Sequence, residues 1–144
     1  MPEETDCIFC KIIHGEIPSA KVYEDEAVYA FLDLGQVTKG HTLIIPKKHK
    51  KDIFDLDPET ASQIFRRVPI IASAIQKAFH PVGMNILNNN SVLAGQSVFH
   101  YHIHLIPRYG KEDSFTFGFQ THTDDYSNEA RLALAADIAK NIEV

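Results

Sequence analysis

Residues 95–108 read Gly-Gln-Ser-Val-Phe-His-Tyr-His-Ile-His-Leu-Ile-Pro-Arg, so that three histidines alternate with apolar or aromatic residues. Alternation is the period of a β-strand, in which side chains at i, i+2 and i+4 share one face. The pattern places His100, His102 and His104 on one side and Phe99, Tyr101, Ile103 and Leu105 on the other. One face suits chemistry and the other suits a core. Same-side neighbours on a strand stand about 6.6–6.8 Å apart, so the outer histidines are about 13 Å apart and one metal ion cannot take all three. At most two share an ion. The other readings are a nucleophile flanked by histidines that orient or protonate, and a solvated face that happens to be histidine-rich. A solvated face more naturally carries Lys, Glu or Thr, and histidine is the side chain that changes charge near neutral pH.

A chain of 144 residues is long enough to bury its own core as one domain. Fourteen basic against 19 acidic residues leave a net charge of −5, which argues against a surface that wraps a nucleic-acid polymer. A mononucleotide is compatible with that charge, because local donors hold a phosphate. No apolar run reaches the roughly 20 residues of a membrane span, and the acidic start, residues 1–6, lacks the basic and apolar parts of a signal peptide. The expected location is cytoplasmic. Two cysteines there, in a Cys-x-x-Cys arrangement, suggest a metal or redox site more than a structural disulfide.

Phe9, Ile12 and Ile13 have helical spacing before Gly15, which predicts a short helix over 7–14. Residues 21–24 and 27–32 read as a hairpin turning at Asp25-Glu26, and 41–46 as a third strand covered on both faces. Asp57 caps a long helix with Pro58 in its first turn; Ala61, Ile64, Phe65, Val68, Ala72, Ile75 and Phe79 form its apolar stripe, and Pro69 should kink it. Strands over 83–88 and 98–107 follow, and Ser127 caps a last helix carrying Leu132, Ala135, Ile138, Ala139 and Ile142. This order of elements is α+β.

The segment His100-Tyr101-His102-Ile103-His104-Leu105-Ile106 resembles the His-x-His-x-His signature of the histidine triad superfamily, nucleotide hydrolases and transferases that act at an α-phosphate. The resemblance extends to Cys7-Ile8-Phe9-Cys10-Lys11-Ile12-Ile13, Ala30-Phe31-Leu32-Asp33, residues 41–49 and Gly95-Gln96-Ser97, in the order and spacing of the bacterial Hit proteins. Those proteins stand close to the Hint branch of nucleoside phosphoramidate hydrolases. What the resemblance implies is a five-stranded antiparallel sheet with one long helix, a short N-terminal helix and a C-terminal helix. It implies a single domain over 1–144, its core at roughly 7–110 followed by a C-terminal loop and helix, and usually a homodimer.

For the site, the resemblance implies His102 as the nucleophile that forms a nucleotidyl-histidine, with water releasing the monophosphate. His104 would bind a phosphate oxygen or help protonate the leaving amine, and Ser97 and Asn89 would contact the phosphate. Gly95 and Gln96 would shape that loop. Asp33 would accept the ribose hydroxyls, Phe9, Ile12, Phe31 and Leu34 would enclose the base, and His41 would support the triad from behind. Without the resemblance, Phe9, Ile12 and Phe31 read as core, Asp33 as a loop cap, His41 as a strand start and Asn88-Asn89-Asn90 as a turn. Relatives with this Cys-x-x-Cys imply one structural zinc on Cys7, Cys10, His49 and His100, and no organic cofactor. The expected activity is hydrolysis of purine nucleoside phosphoramidates; the alternatives are hydrolysis of dinucleoside polyphosphates and binding of nucleotide or zinc without turnover. Lys47, Lys48, Lys50 and Lys51 offer charge for a second nucleotide, or form a solvated face. The chain has no tryptophan to close the pocket from a partner subunit as in some relatives, and residues 111–126, with Phe115, Phe117, Phe119 and His122, either take that place or form a surface loop.

Overall fold

The computed structural model describes residues 6–144, so the acidic start at 1–5 lies outside the described residues. Two compact units divide the chain near Ser114. The first is α+β. Its sheet takes the strands β1 (Lys21–Glu24), β2 (Val28–Leu32), β3 (Thr42–Pro46), β4 (Gly83–Leu87) and β5 (Ile103–Arg108) in the order β1-β2-β3-β5-β4, every neighbouring pair antiparallel.

Alternation along the central strands separates two cores. Val28, Ala30, Ile44, Ile103 and Leu105 face α2 (Pro58–Phe79), whose buried residues Ile64, Val68, Ile71 and Ile75 repeat at helical spacing. Tyr29, Phe31, Leu43 and Ile45 point the other way and pack with Phe9, Cys10 and Ile12 of α1 (Ile8–Ile13). Strand β3 is buried throughout because helices cover it on both sides.

Several local expectations shift. The ladder of β5 begins at Ile103 rather than at residue 98, because the preceding segment bonds to the turn after β3: the Tyr101 N–H donates to the Lys50 carbonyl at 2.6 Å. Tyr101 stays in the core, whereas Phe99 is 38% exposed. Helix α2 runs unbroken through Pro69, and its stripe is centred on Ile71 rather than on Phe65 and Phe79, which are 48% and 40% exposed. Phe79 lies instead beneath the Lys39 ammonium, 5.0 Å from its ring centre. In the second unit, Ser127 caps α3 (Asn128–Ala139) through the Ala130 N–H, and Leu132 and Ile138 are exposed. Among the described residues no helix is long and apolar enough to cross a membrane.

Candidate active site and metal cluster

The site lies on the α1 face of the sheet, where β3 begins and β5 pairs with it through Leu43 and His104. A cavity of about 490 Å³ opens there. Phe9, Ile12, Phe31 and Leu34 line it with Asp33; Asn89, Gly95 and Ser97 line it from the β4–β5 loop, and His102 and His104 from β5 and its approach. A concave, largely apolar slot with a few convergent polar groups suits a small organic ligand. Two residues of the expected set do not line it. Gln96 is buried and ties the loop together, accepting from the Ser91 N–H and donating to the carbonyls of Lys51 and Val98. His41 lies behind His104.

Hydrogen-bond partners assign the protons of four imidazoles, since a neutral ring donates from one nitrogen and accepts at the other. Nδ1 of His102 lies 2.7 Å from the His100 carbonyl oxygen, which can only accept. Nδ1 of His102 therefore carries the proton and Nε2 a lone pair. His100 Nε2 lies 2.7 Å from the Pro46 carbonyl oxygen, so the lone pair of His100 is on Nδ1. The Val37 N–H donates to Nδ1 of His41 at 3.3 Å, which puts the His41 proton on Nε2. That N–H in turn meets Nδ1 of His104 at 2.9 Å, leaving the His104 proton on Nε2.

Burial holds these rings neutral. It pushes the pKa of His100 down to about 4, against the raising effect of its bond to the Pro46 carbonyl. Burial also lowers His104 to about 4, helped by His102 and His41 and opposed by Asp33. His102 and His41 are lowered chiefly by burial as well, with Asp33 acting against the shift in both. Asp33 has one oxygen on the Gly35 N–H at 2.8 Å and the other 3.6 Å from His41 Nε2. Asp33, His41 and His104 are near enough to share a cation, but the Val37 N–H leaves His41 Nε2 protonated and without a lone pair to give.

On the same α1 face of the sheet, beside His102, Cys7, Cys10, His49 and His100 converge, all buried, with ligand atoms within 4.8 Å of one another. Cys7 caps α1 and its thiol accepts the Cys10 N–H, which sets both sulfurs on one side of the helix start. Sulfur-to-nitrogen distances are 3.3 Å for Cys7–His100, 3.6 Å for Cys10–His100 and 3.4 Å for Cys10–His49. Tetrahedral zinc with bonds of about 2.3 Å to sulfur and about 2.05 Å to nitrogen requires such edges to be about 3.5 Å. The four residues fit the ion, and His100 presents the nitrogen that has the lone pair.

Sequence reasoning missed two side chains. Asn88 donates to the His102 carbonyl at 3.0 Å and so fixes the backbone of that residue from β4's end; the triple asparagine hid it. Gln36 lines the cavity and bonds to Asp33, Gly40 and His41.

A family model described as the HIT domain matches residues 14–111. The Bacillus subtilis protein named Protein hit is 58% identical over 95% of this chain and 94% of its own length. Adenosine 5'-monophosphoramidase hnt1 of Schizosaccharomyces pombe is 36% identical over 95% of this chain and 98% of its own. Among solved structures, a HIT family protein from Bacillus anthracis superposes with a TM-score of 0.94 at 57% identity, covering 98% of this chain and all of that one. A Zn-bound histidine triad family protein from Mycobacterium smegmatis does so with 0.72 at 36% identity, covering 94% and 98%.

Proposed function

Because the chain belongs to the HIT domain family, we propose that it hydrolyses purine nucleoside phosphoramidates at the α-phosphate, releasing AMP or GMP. One observation carries the reading: the 2.7 Å contact from Nδ1 of His102 to the His100 carbonyl, which leaves an unprotonated Nε2 in the cavity wall. A relative named as an adenosine 5'-monophosphoramidase supports the substrate class.

In the first half-reaction Nε2 of His102 attacks phosphorus, and the new N–P bond forms as the bond to the leaving amine breaks. The electron pair of the broken bond stays on the amine, which takes a proton from water. The hydroxide so formed then attacks phosphorus, and the pair of the histidine–phosphorus bond returns to Nε2. Ser97, Asn89 and His104 face the phosphoryl oxygens; Phe9, Ile12, Phe31 and Leu34 enclose the purine, and Asp33 accepts from the ribose hydroxyls. His41 acts through His104 rather than on substrate.

The Cys7, Cys10, His49 and His100 cluster takes one structural zinc. Bound there, the ion cross-links α1, the turn after β3 and the approach to β5, and no chemical step passes through it. Two chains pair as a homodimer, and the protein works in the cytoplasm.

Dinucleoside polyphosphates are a poorer fit, because two of the candidate lysines are already paired, Lys47 with Glu24 at 2.8 Å and Lys50 with Asp57 at 3.4 Å. Incubation with adenosine phosphoramidate and separately with a diadenosine polyphosphate, following AMP, tests the reading. Faster release from the phosphoramidate supports it. Faster release from the polyphosphate transfers the site to the alternative, and release from neither leaves a binding module.

A further inference from the structure

Between β2 and β3 the chain makes a loop from Asp33 to His41, and the side-chain amide of Gln36 closes it. Both amide protons of Gln36 are used at 2.7 Å, one on the Asp33 carbonyl and one on the His41 carbonyl. Its oxygen accepts the Gly40 N–H at 2.9 Å. The Asp33 N–H also reaches the His41 carbonyl, at 3.0 Å, so the two ends of the loop are held together through one residue's amide and one backbone bond. The next residue, Val37, is thereby held with its N–H against Nδ1 of His41. Everything beyond follows from donor and acceptor rules: His41 has its proton on Nε2, gives it to Nδ1 of His104, and leaves His104 a neutral ring with its N–H on Nε2.

This order of protons bears on what His104 does. A neutral imidazole that gave up its only N–H would become an imidazolate, which is far too basic to form near pH 7. To act as a general acid His104 must first be an imidazolium, with protons on both nitrogens. Its Nδ1 proton would then face the N–H of His41, and His41 cannot move its own proton to Nδ1 because the Val37 N–H is there. The arrangement disfavours the acid and favours a fixed N–H donor.

We propose that Gln36 is a positioning residue that, through Val37 and His41, locks His104 as a neutral Nε2–H donor to a phosphoryl oxygen rather than as the acid for the leaving amine. The role rests on the nucleotide hydrolysis proposed above, whereas the proton order can be read without turnover. Gln36→Met keeps the length of the side chain and removes every bond; Gln36→Glu keeps the acceptor for Gly40 and replaces the two donors with a carboxylate oxygen facing two carbonyls.

The test pairs nitrogen-15 NMR of the histidine rings with kinetics on two substrates of unlike leaving group, an alkylamine phosphoramidate of adenosine and the p-nitrophenyl ester of AMP. In the unmodified protein at pH 7, His41 and His104 should each show a protonated Nε2 and an unprotonated Nδ1. A proton on Nδ1 of either overturns the proposal whatever the variants do. In folded Gln36 variants the His104 signals should become a mixture of tautomers, and kcat should fall by about tenfold or more by the same factor on both substrates. A purely structural Gln36 would slow turnover without changing the tautomer. A loss confined to the alkylamine substrate would make His104 the acid, and either result refutes the lock. If the unmodified protein turns over neither substrate, the hydrolase reading fails, and the ring spectra still decide the proton order.

Discussion

The carbonyl oxygen of His100 holds Nδ1 of His102 at 2.7 Å, while the ring of the same His100 directs its own Nδ1 at the thiols of Cys7 and Cys10. One residue thus serves two candidate sites, its backbone holding the proposed nucleophile and its side chain joining the Cys7, Cys10 and His49 cluster. His100 is fully buried, and its Nε2 is bonded to the Pro46 carbonyl, so neither role leaves it rotational freedom. A ligand that pins the ring also pins the carbonyl that orients His102.

The zinc assignment predicts about one zinc per chain in protein purified without a histidine tag. Cys7→Ser combined with Cys10→Ser should abolish the metal and lower Tm by roughly 10 °C, since it removes a cross-link between three segments. Because His100 is shared, the doubly substituted protein should also lose turnover although neither cysteine lines the main cavity. Native protein that contains no metal and whose two thiols titrate readily would contradict the site.

The histidine row was legible because alternation forces one face, and the structure keeps that alternation even where the ladder does not: Tyr101, Ile103 and Leu105 are buried in the α2 core while His102 and His104 reach the cavity. The Cys-x-x-Cys spacing was legible for the same local reason, a helix start that sets two thiols on one side. What was hidden depends on contacts between segments distant in sequence. The true start of β5 is decided by where residues 46–50 offer carbonyls to Tyr101 and His100, and no local pattern encodes that. Asn88 and Gln36 look like ordinary loop formers; their importance comes from the backbone groups they meet, His102 in one case and Asp33 and His41 in the other. Phe65 and Phe79 satisfied helical spacing, but the buried stripe follows Ile64, Val68, Ile71 and Ile75.

In the proposed reaction, His104 should contribute little to the pH response near neutrality. With its pKa pushed down to about 4 by burial, the ring remains in its neutral form through the range where a free imidazole titrates. The His104 contribution to kcat/KM should therefore stay level as pH falls from 8 to 6 and decline only toward 4. Titration of the His104 ring by NMR in the free protein checks this directly; a midpoint near 6.5 would contradict it.

Acid stability has a separate origin in the β1–β2 hairpin. Asp25 accepts the N–H groups of Ala27 and Val28, the Tyr23 hydroxyl and, at 2.7 Å, Nε of Arg67 on α2. Although burial works the other way, those bonds hold its carboxyl well below the usual carboxylate range. A depressed folded pKa gives stability that is complete above the unfolded value of about 4 and is lost as pH falls further toward the folded one. Asp25→Asn should cost about 1–3 kcal/mol at pH 7 and flatten the stability curve below pH 4. An unchanged urea midpoint at pH 7 would refute the assignment.

Pairing of two chains is expected at β4, the edge strand that leaves Ile86 55% exposed, together with α2, where Ile70 is 65% exposed. Light scattering at micromolar concentration should give twice the mass of the 16.2 kDa chain. A single-chain mass would contradict it.

The central claim is that His102 becomes covalently nucleotidylated. Rapid mixing with adenosine phosphoramidate, an alkaline quench that preserves phosphorus–nitrogen bonds and mass spectrometry of the intact and digested chain measure this most directly. The account predicts one AMP adduct, located on His102, that forms and decays at rates compatible with turnover; His102→Ala should fold, still bind AMP, show no adduct and lose at least about a thousandfold in kcat. An adduct on another residue, or near-normal turnover by pure His102→Ala protein, would contradict it.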